Sequence, residues 1–169
     1  MTTTAFLAQA ADLKGLSVDI VYFTQTTYKK QDEPVRTTVP ERRVLRFYIS
    51  TKGKIFQYSS VWSEKYNFMT VLPLGHAAAA PKTRGMVAFA IINGKITKLI
   101  KEIHGLEEQT ITISPDAGAC ELSLAFHPDS TGRIVSIDPI SKKEYEQLSR
   151  NLLSYKCDVK RGNIFSNDN

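Results

Sequence analysis

Three segments in the middle of the chain each carry two strand-like runs around a turn-forming cluster, and strands joined this tightly leave few architectures open. The first runs from Arg43 to Val61 around Lys52-Gly53, and the second from Met86 to Ile103 around Asn93-Gly94. The third runs from Gln109 to Phe126 around Ser114-Pro115-Asp116-Ala117-Gly118. Asn-Gly suits a two-residue type I′ turn, because both central residues need positive φ and most side chains clash there. Strands joined in this way pair in chain order. The centre of the protein is expected to be an antiparallel meander.

The flanking segments extend the pattern. Leu16, Val18, Ile20 and Tyr22 alternate with Ser17, Asp19, Val21 and Phe23, which predicts a first strand. Leu45, Phe47 and Ile49 share one face of the next, with Arg46 and Tyr48 opposite, as in a sheet packed on one side and wet on the other. Met86 to Ile92 is apolar on both faces and reads as a central strand. The polar stretch Gln25 to Pro40 can form the exposed end of a long hairpin, and Arg133 to Ile137 can add a strand. Ser141-Lys142-Lys143-Glu144 fits a capping box, and Tyr145, Leu148, Leu152 and Leu153 follow at helical spacing, which predicts one helix in the C-terminal region. Tyr155 to Lys160 returns as a last strand. The expected fold is mainly β, about eight antiparallel strands closing as a small up-and-down barrel, with an open sandwich as the alternative.

The 169 residues fit one domain. Residues 15–161 are read as that domain and residues 162–169 as a tail. Residues 1–14 are read as a flexible lead-in or the remnant of a signal peptide, because Ala8-Gln9-Ala10 has the small-x-small pattern of a cleavage site. No apolar run approaches the ~20 residues that a membrane-spanning helix needs. The formal charge of +5 is dispersed over Lys29-Lys30, Arg42-Arg43, Lys52, Lys54, Lys95, Lys98, Lys101, Lys142-Lys143 and Lys160-Arg161. Many of these sit in or beside turns, where lysine is the solvated residue of a hairpin. The scatter weighs against a nucleic-acid surface, although a polyanion such as nucleic acid or an envelope polysaccharide stands as the second reading of function.

Catalytic and cofactor signatures are absent: the chain has no Gly-rich phosphate loop, no HExxH, no CxxC and no G-x-S-x-G. His76, His104 and His127 are isolated beside turn residues, so no metal or cofactor is expected. Glu107 and Glu108 would point to opposite faces of a strand and read as the solvated shoulder of a turn. Cys120 has three readings: a nucleophile with His104 or His127 as base, one of two independent buried thiols, or the partner of Cys157 in a bridge. Such a bridge would contribute roughly 3–4 kcal/mol on the chain-entropy account and would persist only in an oxidising compartment. The long break from Ser63 to Pro81 is the remaining place for a site. Trp62, Tyr66, Phe68, Leu72 and Leu74 around it would line the mouth of a barrel, or else plug its end. The first functional reading is a non-enzymatic module binding a small apolar ligand or a partner surface.

Leu13-Lys14-Gly15 ahead of the first strand resembles the Gly-bearing opening of lipocalins and related calycin barrels, without the Trp that follows in lipocalins; Leu16-Ser17 stands there instead. Ala117 to Leu124, Ser154 to Val159 and Gly162-Asn163 are similar to small secreted proteins of alphaproteobacteria whose activity is uncharacterised. That resemblance implies a periplasmic or secreted location and a Cys120–Cys157 pair, and implies no reaction.

Overall fold

The structure, a computed structural model, describes residues 13–58, 66–69, 87–92, 95–101, 105–128, 136–137 and 143–165. All the regular elements there are strands: β1 (Leu16–Lys30), β2 (Arg36–Thr37), β3 (Glu41–Ile49), β4 (Ile55–Tyr58), β5 (Tyr66–Met69), β6 (Val87–Ile92), β7 (Lys95–Lys101), β8 (Gly105–Ser114), β9 (Ala119–Pro128), β10 (Ser136–Ile137) and β11 (Glu144–Arg161). They form two antiparallel sheets. The larger has the order β10-β11-β1-β3-β4-β5, with β2 beside β1, and the smaller has the order β6-β7-β8-β9.

The three expected hairpins are the pairs β3–β4, β6–β7 and β8–β9, all antiparallel. In the first turn Gly53 takes φ +75° and donates to the Ser50 carbonyl at 2.9 Å, while the Ser50 hydroxyl accepts from the Lys54 N–H at 3.0 Å. In the third, Gly118 takes φ +62° and donates to the Pro115 carbonyl at 3.1 Å. A side chain at either glycine would sit in the left-handed region that only glycine enters freely. Asn93-Gly94 lies outside the described residues.

The two sheets share one apolar cluster. Leu16, Val18, Ile20, Leu45, Phe47, Ile49 and Ile55 from the larger sheet meet Phe89, Ile91, Ile96, Ile111, Ile113 and Leu122 from the smaller. The Phe47 and Phe89 rings mark the contact, with centroids 6.1 Å apart. Along one side β9 runs beside β11: the Cys120–Cys157 disulfide joins them with Cα atoms 5.6 Å apart, and the Val159 N–H donates to the Gly118 carbonyl at 2.9 Å. Among the described residues no ladder joins the two sheets, so the expected closed barrel is not formed there.

The helix expected from residue 141 onward is corrected over the described residues, which form β11 from Glu144. β11 pairs with β1 along its length, and the register slips between Phe23 and Thr24 and again between Thr27 and Tyr28. Each slip leaves one residue of β11 unpaired, Leu153 at the first and Leu148 at the second, as a β-bulge does. Two bulges break the period of two, and the apolar residues then fall at intervals that imitate a helix. Residues 13 and 162–165, the described parts of the expected lead-in and tail, make contacts with the sheets. Leu13 belongs to the buried cluster. Gly162 donates to the Gly15 carbonyl at 2.8 Å, the Ile164 N–H donates to the Ser17 hydroxyl at 3.2 Å, and Phe165 packs its ring 5.0 Å from that of Tyr58.

Candidate functional site

The inward rows of the strands change character part-way along. On β1 the row runs Leu16, Val18, Ile20 and then Tyr22, Thr24, Thr26. On β8 it runs Ile113, Ile111 and then Gln109, Glu107. On β3 it passes from Ile49, Phe47 and Leu45 to Arg43, on β7 from Ile96 to Lys98, and on β11 from Val159 to Arg150 and Gln147. The pairing register puts the polar members on the same level: Tyr22 lies opposite Arg43, Thr26 opposite Arg150, and Lys98 opposite Gln109. One end of the interior is therefore hydrocarbon and the other is polar and charged.

Glu107 organises the polar end. Its side chain is 0% exposed, and its Oε2 accepts from Arg43 Nη1 at 3.2 Å and from Arg150 Nη1. Its Oε1 accepts from Gln109 Nε2 at 2.6 Å, and the same amide nitrogen donates to the Tyr22 hydroxyl at 2.9 Å. Arg150 also donates from Nε to Thr26 Oγ1 at 3.5 Å and lies over the Phe126 ring, 5.7 Å from its centroid. Both carboxylate oxygens are thus engaged.

Lys98 and three buried side-chain atoms stand out in these inward rows. Lys98 is 6% exposed, stands 5.6 Å above the Phe89 ring, and makes no ion pair or hydrogen bond among the described residues. Burial pushes its ammonium down to about 8, the Arg43 charge acts in the same direction, and the Glu107 charge opposes them. Thr24 Oγ1, Gln109 Oε1 and Gln147 Nε2 are buried and find no hydrogen-bond partner. Tyr22 has its pKa raised, chiefly by burial and next by the Glu107 charge. Buried polar atoms in native proteins are nearly all partnered, so a cluster of exceptions calls for an explanation.

The sites expected from the sequence are placed differently. Tyr66 and Phe68 belong to β5 at the edge of the larger sheet, opposite Tyr58 and Phe56; Trp62, Leu72 and Leu74 lie outside the described residues. Cys120 is bonded to Cys157, so it presents no thiolate in this state and the nucleophile reading falls away. His127 is exposed and sits 3.4 Å from Glu108; His76 and His104 lie outside the described residues. No cluster of three potential metal ligands occurs among the described residues. Glu107 and Glu108 do face opposite ways, but the first is buried and not the shoulder of a turn. Lys98 and Arg43, read as solvated charges, point inward. A signal for this was present: Glu107 and Gln109 are in phase with Ile111 and Ile113, and Lys98 with Ile96.

A solvent-open cleft of about 300 Å³ lies at the C-terminal end of β1, beyond the polar end of the interior, lined by Lys29, Lys30, Gln31, Asp32, Glu144 and Glu146. Its charges are of both signs, two lysines and three carboxylates. No helix among the described residues is long and apolar enough to cross a membrane. Compared with family models, with curated proteins and with solved structures, the chain matches none.

Proposed function

We propose that the protein is a non-catalytic binding module that receives a small ligand in the polar end of its interior. The observation that carries this reading is the set of buried, unmatched atoms on Thr24, Gln109 and Gln147 in the inward rows, together with Lys98, which is 6% exposed and forms no ion pair among the described residues. Leaving such groups unpaired costs about 1–3 kcal/mol each, a penalty that a ligand supplying the missing partners would remove. The small apolar ligand expected from the sequence becomes, on this reading, one that also carries a polar group. The β9 strand beside β11 would continue the wall from one sheet to the other, which is the sense in which a barrel belongs to the proposal. A calycin-like kinship belongs to it in the same way.

An exported location is part of the reading, supported by the disulfide, since such bonds persist in oxidising compartments. The polyanion reading loses ground because Arg43 and Lys98 are withdrawn from the surface. The test is a titration followed by NMR, with hexan-1-ol and hexanoate as probes. We expect at least one of them to move the side-chain amide signals of Gln109 and Gln147. If both probes leave these signals unmoved, the interior site is abandoned.

A further inference from the structure

We propose that the ligand of this interior site is an organic carboxylate whose head is held by the Lys98 ammonium and whose apolar body lies against the aromatic wall. The inference rests on the interior-site reading and adds the charge and class of the ligand.

The argument starts from the one carboxylate that faces this region among the described residues. Glu107 gives Oε2 to the two guanidiniums and Oε1 to Gln109, and it forms no ion pair with Lys98. Lys98 is 6% exposed and poorly hydrated, so an anion that reached it would be met by a charge that water screens only weakly. Lysine has three N–H groups to give. Gln109, its cross-strand partner on β8, presents an unmatched Oε1 acceptor, which can take one of them and leave the others for an incoming anion.

Two of the other unmatched groups at this end of the interior can donate, namely the Thr24 hydroxyl and the Gln147 amide nitrogen. An ionised carboxylate is an acceptor only, so its chemistry complements an ammonium, a hydroxyl and an amide N–H together. Among the described residues three cations, Lys98, Arg43 and Arg150, face the one carboxylate of Glu107, so this end of the interior calls for an anion. The flanking surfaces point to an organic acid: Phe89 lies directly under Lys98, and Phe126 lies under Arg150.

The experiment compares hexanoate, hexan-1-ol and inorganic phosphate on the whole protein by calorimetry, with the Gln109 and Gln147 amide signals reporting location. Hexanoate is expected to bind about tenfold or more tightly than hexan-1-ol, the scale of one charge-assisted contact. Lys98→Met is expected to reduce hexanoate affinity by about the same factor and to leave hexan-1-ol unchanged. Equal affinity for hexanoate and hexan-1-ol at the interior amides would overturn the carboxylate assignment and leave the interior site standing. Binding of phosphate alone would overturn the organic ligand. Silence of both interior amides towards hexanoate and hexan-1-ol would remove the site itself. A Lys98→Met protein that keeps full hexanoate affinity while still cooperatively folded would show that Lys98 is not the anchor.

Discussion

The two ends of the interior are built by the same strands yet hold together by different physics. At one end Phe47, Phe89, Ile20, Ile111 and their neighbours remove hydrocarbon from water and ask nothing of each other beyond fit. At the other end Arg43, Lys98, Glu107, Gln109 and Arg150 are buried or half-buried, and each must find a partner for its charge or its hydrogen bonds. The apolar end stabilises the sheets whatever else happens. The polar end is stabilising only where its pairing is complete, and Lys98 shows that it is not.

Truncation at the apolar end tests this contrast with the largest effect. Phe47 is fully buried where the two sheets meet. Phe47→Ala is expected to lower the unfolding free energy by about 3–5 kcal/mol, through lost burial and the cavity left behind. Denaturant unfolding measures it, and a loss under 1 kcal/mol would mean that the two sheets do not share this core. At the polar end Glu107→Gln should lower stability by about 3 kcal/mol, because Arg43 and Arg150 would then face each other without a carboxylate between them. A neutral outcome would show that the two guanidiniums find other partners once the carboxylate is gone.

Lys98→Met carries the opposite sign. The lysine titrates at about 8 in the folded protein and at 10.5 in an ordinary setting, so the unfolded chain binds more protons between these values. Stability should therefore rise as pH increases from about 8 towards 10. Below pH 8 the full penalty for the buried ammonium is present. Above pH 10 Tyr22 acts against the rise, since its raised pKa lets the unfolded chain lose that proton first. Replacing the ammonium by a thioether of similar length should add up to about 3 kcal/mol at pH 7 and flatten the rise between pH 8 and 10. Denaturant melts of both proteins at pH 7 and pH 9.5 check this, and an unchanged slope would assign the alkaline behaviour to another group.

How much of this could be read in advance depends on whether a strand keeps its period. β3, β8 and β9 alternate without interruption, and their hairpins follow from the turn glycines Gly53 and Gly118. β11 was illegible because Leu148 and Leu153 are bulged residues, and the shifted spacing reads as helical. The candidate site was hidden for a different reason. The alternation places Glu107 and Lys98 inward, in phase with Ile111 and Ile96, but charge is ordinarily a sign of solvent, and burial of either residue depends on partners far away in the chain. Arg43 reaches Glu107 across 64 residues and Arg150 reaches it across 43, and no local pattern carries that information.

The smallest effect isolates burial from geometry. Two of the three arginines of β3 stand three positions apart and each pairs with a carboxylate at almost the same distance. Arg46 meets Asp19 on the outer face at 3.0 Å, with both side chains partly exposed, whereas Arg43 meets the fully buried Glu107 at 3.2 Å. If distance decided the strength, the two pairs would be equivalent. Solvent screens the outer pair and hydrates either partner when the other is lost, so Asp19→Asn should cost less than about 1 kcal/mol. The same chemical change at Glu107 strands two guanidiniums inside the protein and should cost about three times as much. Raising the salt concentration should erase most of the Asp19 effect and leave that of Glu107 nearly intact, because mobile ions reach only the outer pair. Equal losses at the two positions, or equal salt dependence, would mean that water reaches Glu107 and that the polar end of the interior is a wet groove and not a closed site.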